Sequence, residues 1–264
     1  MYNFEYKKAG SVDEAAGIVG ADDEAKLLAG GMTYIPTLKQ RLAAPTAVVD
    51  LNGVGGLDGI SADGNGVTVG AMARHAAVAA SAEVAAAIPA LADLASHIGD
   101  PQVRNRGTIG GSIANNDPAA DYPAALVGLG ATVQTNKRAV AADDFFTGLF
   151  ETALGQDEIV TSVSFPRAGK AAYMKFPNPA SRYAIVGVFV AQAADGVRVA
   201  VTGAGPCVFR VAEMEAALAA SWSADAVADI GISADGLNED IHASAEYRAH
   251  LVTVMAKRAV AKAG

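Results

Sequence analysis

The chain has 264 residues, 52% of them hydrophobic and 18% charged, with a formal net charge of −8. That length supports one large core or two smaller ones, and an acidic balance with no long Lys/Arg cluster excludes a phosphate-backbone partner, so no nucleic acid is expected. A single cysteine, Cys207, excludes an internal disulfide, a thiolate zinc site and an all-cysteine iron-sulfur cluster.

In chain order, Met1–Gly20 lacks the basic head and apolar run of a secretory signal, so a cytoplasmic protein is expected. A short strand over Asn3–Lys7 leads to a helix whose start is marked by Ser11 and Glu14, a capping-box pair. An apolar strand at Ala25–Ala29, the Gly30-Gly31 pair, a helix through Leu42 and a strand at Ala47–Leu51 complete a β-α-β-α-β unit. Asp63-Gly64 and Asn65-Gly66 then signal a hairpin between Ile60 and Val67–Val69.

An alanine-rich helical stretch runs from His75 to Ile98, followed by a polar loop to Thr108 and the glycine segment 108–112. Asp157–Pro166 reads as an edge strand. The last third carries strand-like runs at Ala171–Phe176, Ala184–Ala191 and Val197–Gly203, then helices at Val211–Ala220 and Tyr247–Ala263. Its most apolar run, AIVGVFVAQAA, is too short for a membrane span, which needs roughly 18 residues, and reads as a buried strand. The expected divisions are residues 1–56, 57–168 and 169–264.

Two segments share one design: an apolar run, two glycines and a hydroxyl residue. They are LLAGGMTYIP (27–36) and GTIGGSIANNDPAAD (107–121). Without Cβ atoms the backbone can turn at positive φ and bring N–H groups close to an anion, so two such segments suit two phosphates. Thr33, Thr108, Ser112, Asn115 and Asn116 add hydrogen-bonding groups, and Asp117 and Asp121 offer carboxylates to ribose or ribityl hydroxyls. The plainer alternative is that both are tight turns between strands. Neither is the G-x-G-x-x-G nicotinamide fingerprint, and GNGVTVG at 64–70 is a hairpin turn with the wrong spacing.

LLAGGMTYIPTLKQRLAAP and RNRGTIGGSIANNDPAADYPAAL, in this order and at this separation, resemble the two FAD-binding segments of the flavoprotein subunits of molybdenum hydroxylases, the family of xanthine dehydrogenase and aerobic carbon monoxide dehydrogenase. DEIVTSVSFP and YMKFPNPASRYAIVGVFVA extend the resemblance over nearly the whole chain. It implies an α+β chain with an FAD-binding fold of the PCMH, vanillyl-alcohol-oxidase-like type: two α+β subdomains, then a small C-terminal α+β domain with an antiparallel sheet.

By the same resemblance Leu27, Leu28, Ala29, Gly30, Gly31, Met32, Thr33 and Tyr34, with Thr108, Ile109, Gly110, Gly111 and Ser112, would line the FAD pyrophosphate, and Asn115 would join them. Asp121 would face ribose or ribityl hydroxyls and Val160 the flavin ring; His97 and Ile98, beside the Ala-rich helices, could reach the adenine side. Lys175 would sit near the isoalloxazine oxygens, and Tyr183 would stack close by. Within the resemblance, Met32 departs from the polar residue usual at its position and Tyr34 from a smaller or aliphatic one. A thioether donates no hydrogen bond, which leaves more to the backbone amides.

The implied role is electron transfer: this subunit would accept electrons from the [2Fe-2S] clusters of a small subunit, downstream of a large molybdopterin-binding subunit, in a dimer of heterotrimers. It would pass them to quinone, NAD or O2, with the carbon monoxide dehydrogenase-like branch preferred. No residue is assigned as a catalyst or metal ligand.

Other residues take structural readings. His75 and His97 are expected to be partly exposed or hydrogen-bonded, Arg104 and Arg106 either steer phosphates or are solvated, and Cys207 is a small buried residue. Two rivals remain: a self-contained flavin oxidoreductase, whose base would be His97 or Tyr183, and a non-catalytic module whose glycine turns hold another phosphate ligand or none.

Overall fold

A computed structural model describes residues 1–264. The first 50 residues form a parallel three-stranded sheet, order β1-β3-β2, from β1 (Glu5–Lys8), β2 (Lys26–Leu28) and β3 (Ala47–Asp50). The crossovers are α1 (Val12–Ala21) and α2 (Tyr34–Lys39). Ser11 caps α1 by accepting from the Glu14 amide, and the Glu14 carboxylate reaches back to the amide of Gly10, one residue before the cap. The second helix is shorter than its sequence suggests: it stops at Lys39 and the chain reverses at Arg41, φ 60°.

The middle of the chain builds an antiparallel sheet, order β4-β5-β10-β6-β7, from β4 (Ile60–Ala62), β5 (Gly66–Gly70), β6 (Thr132–Thr135), β7 (Ala139–Ala141) and β10 (Val160–Pro166). The expected hairpin joins β4 to β5. The strand expected at the edge, β10, is instead central, paired with β5 on one side and β6 on the other. Between β8 (Phe146–Gly148) and β9 (Glu151–Thr152) is a small hairpin.

Helices α3 (His75–Ala80), α4 (Ala82–Ala87) and α5 (Pro89–Ser96) fill the alanine-rich stretch. The segment expected as a polar loop is a helix, α6 (Pro101–Arg106), started by Asp100, which caps the Val103 amide, and by Pro101 at its first position. The second glycine segment is also helical: α7 (Ile109–Asn115) is capped by Thr108 and ends at Asn116 in the left-handed region. Every residue of α8 (Tyr122–Leu129) is buried, and α9 (Ala142–Phe145) follows β7.

The C-terminal domain is a four-stranded antiparallel sheet, order β11-β12-β13-β14, from β11 (Ala171–Pro177), β12 (Ala184–Ala193), β13 (Gly196–Thr202) and β14 (Phe209–Arg210). Helices α10 (Ala212–Ala220) and α11 (Ala245–Ala263) cover one face. Along β12, Phe189 and Ala191 enter the main core with α8, while Val186, Val188 and Val190 enter the core under α11. Burial on both faces explains why this strand is apolar throughout rather than alternating. No helix of the protein is long and apolar enough to cross a membrane.

Candidate functional site

Both glycine segments line one cleft of about 480 Å³ between the two N-terminal sheets and the C-terminal domain. Gly31 turns the chain out of β2 at φ 77°. A Cβ on Gly30 would drive into the carbonyl oxygen of Arg106, so the first segment lies directly against the end of α6. Arg74 holds that junction by donating to the Arg106 carbonyl and, at 2.7 Å, to Asn52 Oδ1, while Asn52 Nδ2 donates to the Ala29 carbonyl at 3.2 Å.

The two segments differ in what they offer an anion. In the second, Ile109 N–H donates to Ala73, Gly110 N–H to Ala71, Gly111 N–H to Thr108 Oγ1 and Ser112 N–H to the Thr108 carbonyl. These amides are consumed, and the glycines serve close packing: a Cβ on Gly110 would lie 2.6 Å from Ala71 Cβ. The expected positive-φ turn at residues 108–112 is therefore replaced by the first turn of a helix.

In the first segment the N–H groups of Gly30, Gly31, Met32, Thr33 and Tyr34 donate to no protein acceptor. Five consecutive free amides in a cleft fit the oxygens of a diphosphate, and they explain how Met32 is tolerated without a donating side chain. The Tyr34 hydroxyl, also on this wall, is buried and without a partner.

The structure brings to this cleft Leu27, Leu28, Ala29, Gly30, Gly31, Met32, Thr33, Tyr34, Ile98, Thr108, Gly110, Gly111, Ser112, Asn115, Asp121, Val160 and Tyr183. Ile109 and Lys175 are not on its walls: Ile109 faces the main core and Lys175 lies behind Asp121. Asn116 turns away to donate to the carbonyls of Gly148 and Glu151. Arg104 is tied to the carbonyls of Ile98 and Gly99, and neither it nor Arg106 faces the cleft.

His75 is a correction to the expectation that it is partly exposed or hydrogen-bonded: it is 4% exposed, lines the cleft, and its Nδ1 has no partner. Its ring packs 5.3 Å from that of Tyr122. Burial, reinforced by Arg74 and Arg104, pushes its pKa down to about 4, so it is neutral at pH 7. Nothing local distinguishes this histidine in the sequence, because its burial is made by α6 and α8.

His97 keeps a half-exposed ring, with Nδ1 against the Asp93 carbonyl at 2.7 Å. Cys207 is half-buried, which raises its thiol pKa. Burial likewise raises the Asp117 carboxyl on the cleft wall. For Asp121 burial pushes the carboxyl up, while Lys175 and Tyr173 act against it.

The family described as the FAD binding domain in molybdopterin dehydrogenase matches residues 2–168, and the CO dehydrogenase flavoprotein C-terminal domain matches residues 171–263. The chain is 36% identical to the nicotine 6-hydroxylase medium subunit of Paenarthrobacter nicotinovorans, over 98% of this chain and 96% of that one. It is 34% identical to the carbon monoxide dehydrogenase medium chain of Hydrogenophaga pseudoflava, over 97% and 96%. A solved carbon monoxide dehydrogenase from Hydrogenophaga pseudoflava, lacking the Mo-pyranopterin moiety of the molybdenum cofactor, matches with a TM-score of 0.88 at 35% identity, covering 99% of this chain and 97% of that chain.

Proposed function

Because the chain belongs to the family of FAD-binding medium subunits of molybdenum hydroxylases, which are oxidoreductases, we propose that it is the electron-transfer subunit of such a complex. It takes electrons from the [2Fe-2S] clusters of a small partner subunit and delivers them to an external acceptor: quinone, NAD or O2. A large molybdopterin-binding subunit oxidises the substrate, and two such heterotrimers pair in the cytoplasm. The observation that carries this reading is the run of five free amides, Gly30 to Tyr34, in the cleft that the second glycine segment also lines.

When bound, FAD supplies the exchange between one-electron and two-electron partners; the protein binds and orients it. Residues 27–34 hold the pyrophosphate through the amides of 30–34, with Thr108, Gly110, Gly111 and Ser112 lining the same cleft and Asn115 beside them. Asp121 faces ribose or ribityl hydroxyls, Ile98 the adenine side, and Val160 and Tyr183 the flavin. In this reading residues 1–56 and 57–168 are the halves of the FAD-binding region and 169–264 the domain that closes it.

The carbon monoxide dehydrogenase-like branch is supported by the C-terminal family match and by the solved relative. No side chain of this chain is assigned to the carbon substrate. The test is to purify the whole complex through a tag on this chain, strip its FAD, reduce the clusters with dithionite and add each acceptor in turn. Reoxidation that is fast only after FAD is restored supports the proposal. Equal rates without FAD, or the absence of iron-sulfur and molybdenum subunits from the purified material, refute it.

A further inference from the structure

Strand β11 presents Tyr173 and Lys175 on one face, two residues apart, toward the head of α8. The Lys175 ammonium is buried, with 6% of its side chain exposed, and its three protons have three acceptors. It donates to the His97 carbonyl at 2.8 Å, to the Arg182 carbonyl at 2.9 Å and to the Asp121 carboxylate at 3.0 to 3.1 Å. The Tyr173 hydroxyl donates to Asp121 Oδ1 at 2.5 Å. Room for that hydroxyl exists because the residue opposite Lys175 on β12 is Gly187, where a Cβ would overlap the hydroxyl.

Each acceptor belongs to a different part of the cleft wall. The His97 carbonyl immediately precedes Ile98 and Gly99, Asp121 is itself a wall residue, and the Arg182 carbonyl immediately precedes Tyr183. The C-terminal sheet also grips the segment below: Gly203 N–H and Thr202 Oγ1 donate to the Pro118 carbonyl, Thr202 Oγ1 to that of Ala120 and Ala184 N–H to that of Ala119. A buried ion pair is a poor source of net stability but a sharp specifier of register, because a misaligned partner leaves a charge unpaired in the interior.

We propose that Lys175 is a positioning residue that fastens three cleft segments, residues 97–99, 117–121 and 181–183, to the C-terminal domain, so that this domain sets how firmly the cleft holds its cofactor. The cofactor half of the proposal rests on the FAD reading above; the fastening half does not. Removing the ammonium frees the carbonyls of His97 and Arg182 together, although they lie 85 residues apart in sequence, and leaves Asp121 with only the Tyr173 hydroxyl.

The test compares wild type and Lys175→Met as full chains within their complex. The first readout is amide hydrogen exchange in the FAD-free protein. The amides of His97, Ile98, Asn178 and Arg182 donate to the carbonyls of Leu94, Ala95, Tyr183 and Asn178, so the first two report residues 97–99 and the last two residues 181–183. The second and third readouts are the FAD dissociation constant by titration and the visible circular dichroism of the bound flavin. Lys175→Met is expected to speed exchange at all four amides about ten-fold, leave Val188 and Val190 in β12 unchanged, weaken FAD about ten-fold and alter the dichroism.

Unchanged exchange in the FAD-free variant overturns the proposal even where FAD affinity falls, because that combination marks a direct flavin ligand. Faster exchange with unchanged FAD affinity and dichroism overturns the link to the cofactor. Wild type that takes up no FAD sinks the functional reading and leaves the exchange comparison decisive for the fastening. If Lys175→Met does not fold, Lys175→Gln, which loses the charge and keeps a donor, is measured by the same readouts with the same outcomes.

Discussion

Replacing Gly110 by alanine adds one methyl group where α7 meets the backbone of Ala71. The new Cβ would lie 2.6 Å from Ala71 Cβ and 2.7 Å from the Ala71 carbonyl oxygen, the same oxygen that accepts the Gly110 amide at 2.8 Å. Reaching the 3.4 Å of ordinary contact requires α7 to retreat by about 0.8 Å, the difference between 2.6 and 3.4 Å. Overpacking of this kind costs about 1–3 kcal/mol, and the better helix propensity of alanine returns up to about 1 kcal/mol.

The net expectation is a loss of about 1–2 kcal/mol of stability in the FAD-free protein. With the wall moved, FAD weakens by at least about ten-fold, or about 1.4 kcal/mol. Gly17→Ala is the internal control: it lies within α1, and its Cβ would have nothing within 4 Å. That substitution should stabilise by about 0.5–1 kcal/mol and leave FAD binding alone. Denaturant unfolding and FAD titration on the three proteins suffice. A Gly110→Ala protein with wild-type stability and affinity would refute the close-packing explanation of the second glycine segment.

The buried His75 makes stability depend on pH. Its folded pKa, about 4, lies below the ordinary 6.5, so the folded state resists protonation and stability falls as pH drops from 6.5 toward 4, by about 3 kcal/mol in all. The difference between wild-type and His75→Leu unfolding curves should therefore change mainly in that window. Glu158, held near 2 by Arg138, loses its contribution only as pH falls from 4.5 toward 2. A constant difference between pH 6.5 and 4.5 contradicts the assignment to His75. Asn116→Gly keeps the left-handed conformation but removes two donated bonds to the hairpin carbonyls, and is expected to cost about 1–3 kcal/mol by chemical denaturation. Ser11→Ala should cost about 1 kcal/mol through the lost cap of α1, and a cost below roughly 0.3 kcal/mol would contradict the cap's role.

Local signals made much of the architecture legible: the Ser11/Glu14 pair started α1, the glycines at 64 and 66 closed a hairpin, and the apolar run from Ala184 gave β12. What escaped was set by distant partners. Helix α6 has no buried residue, so residues 101–106 show no apolar periodicity, although Asp100-Pro101 is a start signal. Gly110 and Gly111 argue against a helix by propensity, and only the closeness of Ala71 makes glycine the fitting residue there.

The alternation of β10 does not distinguish an edge from a centre, because its two neighbours come from strands that begin and end far away in sequence. At the site, both glycine segments were visible, but which of them keeps its amides free was not. That depends on Ala71, Ala73 and Thr108 accepting from one and on no protein group accepting from the other. Lys175 was expected near the isoalloxazine oxygens, whereas its ammonium faces protein acceptors behind the wall.

The most direct test of the central claim is to purify this chain with its partner subunits, record the visible spectrum, and identify and count the flavin released on denaturation. Oxidised-flavin bands with one FAD per chain, lost together when the cleft is altered at Gly110, are the predicted result. A folded, assembled protein that carries no flavin and takes up none from added FAD would contradict it, and would return the five free amides to some other anion.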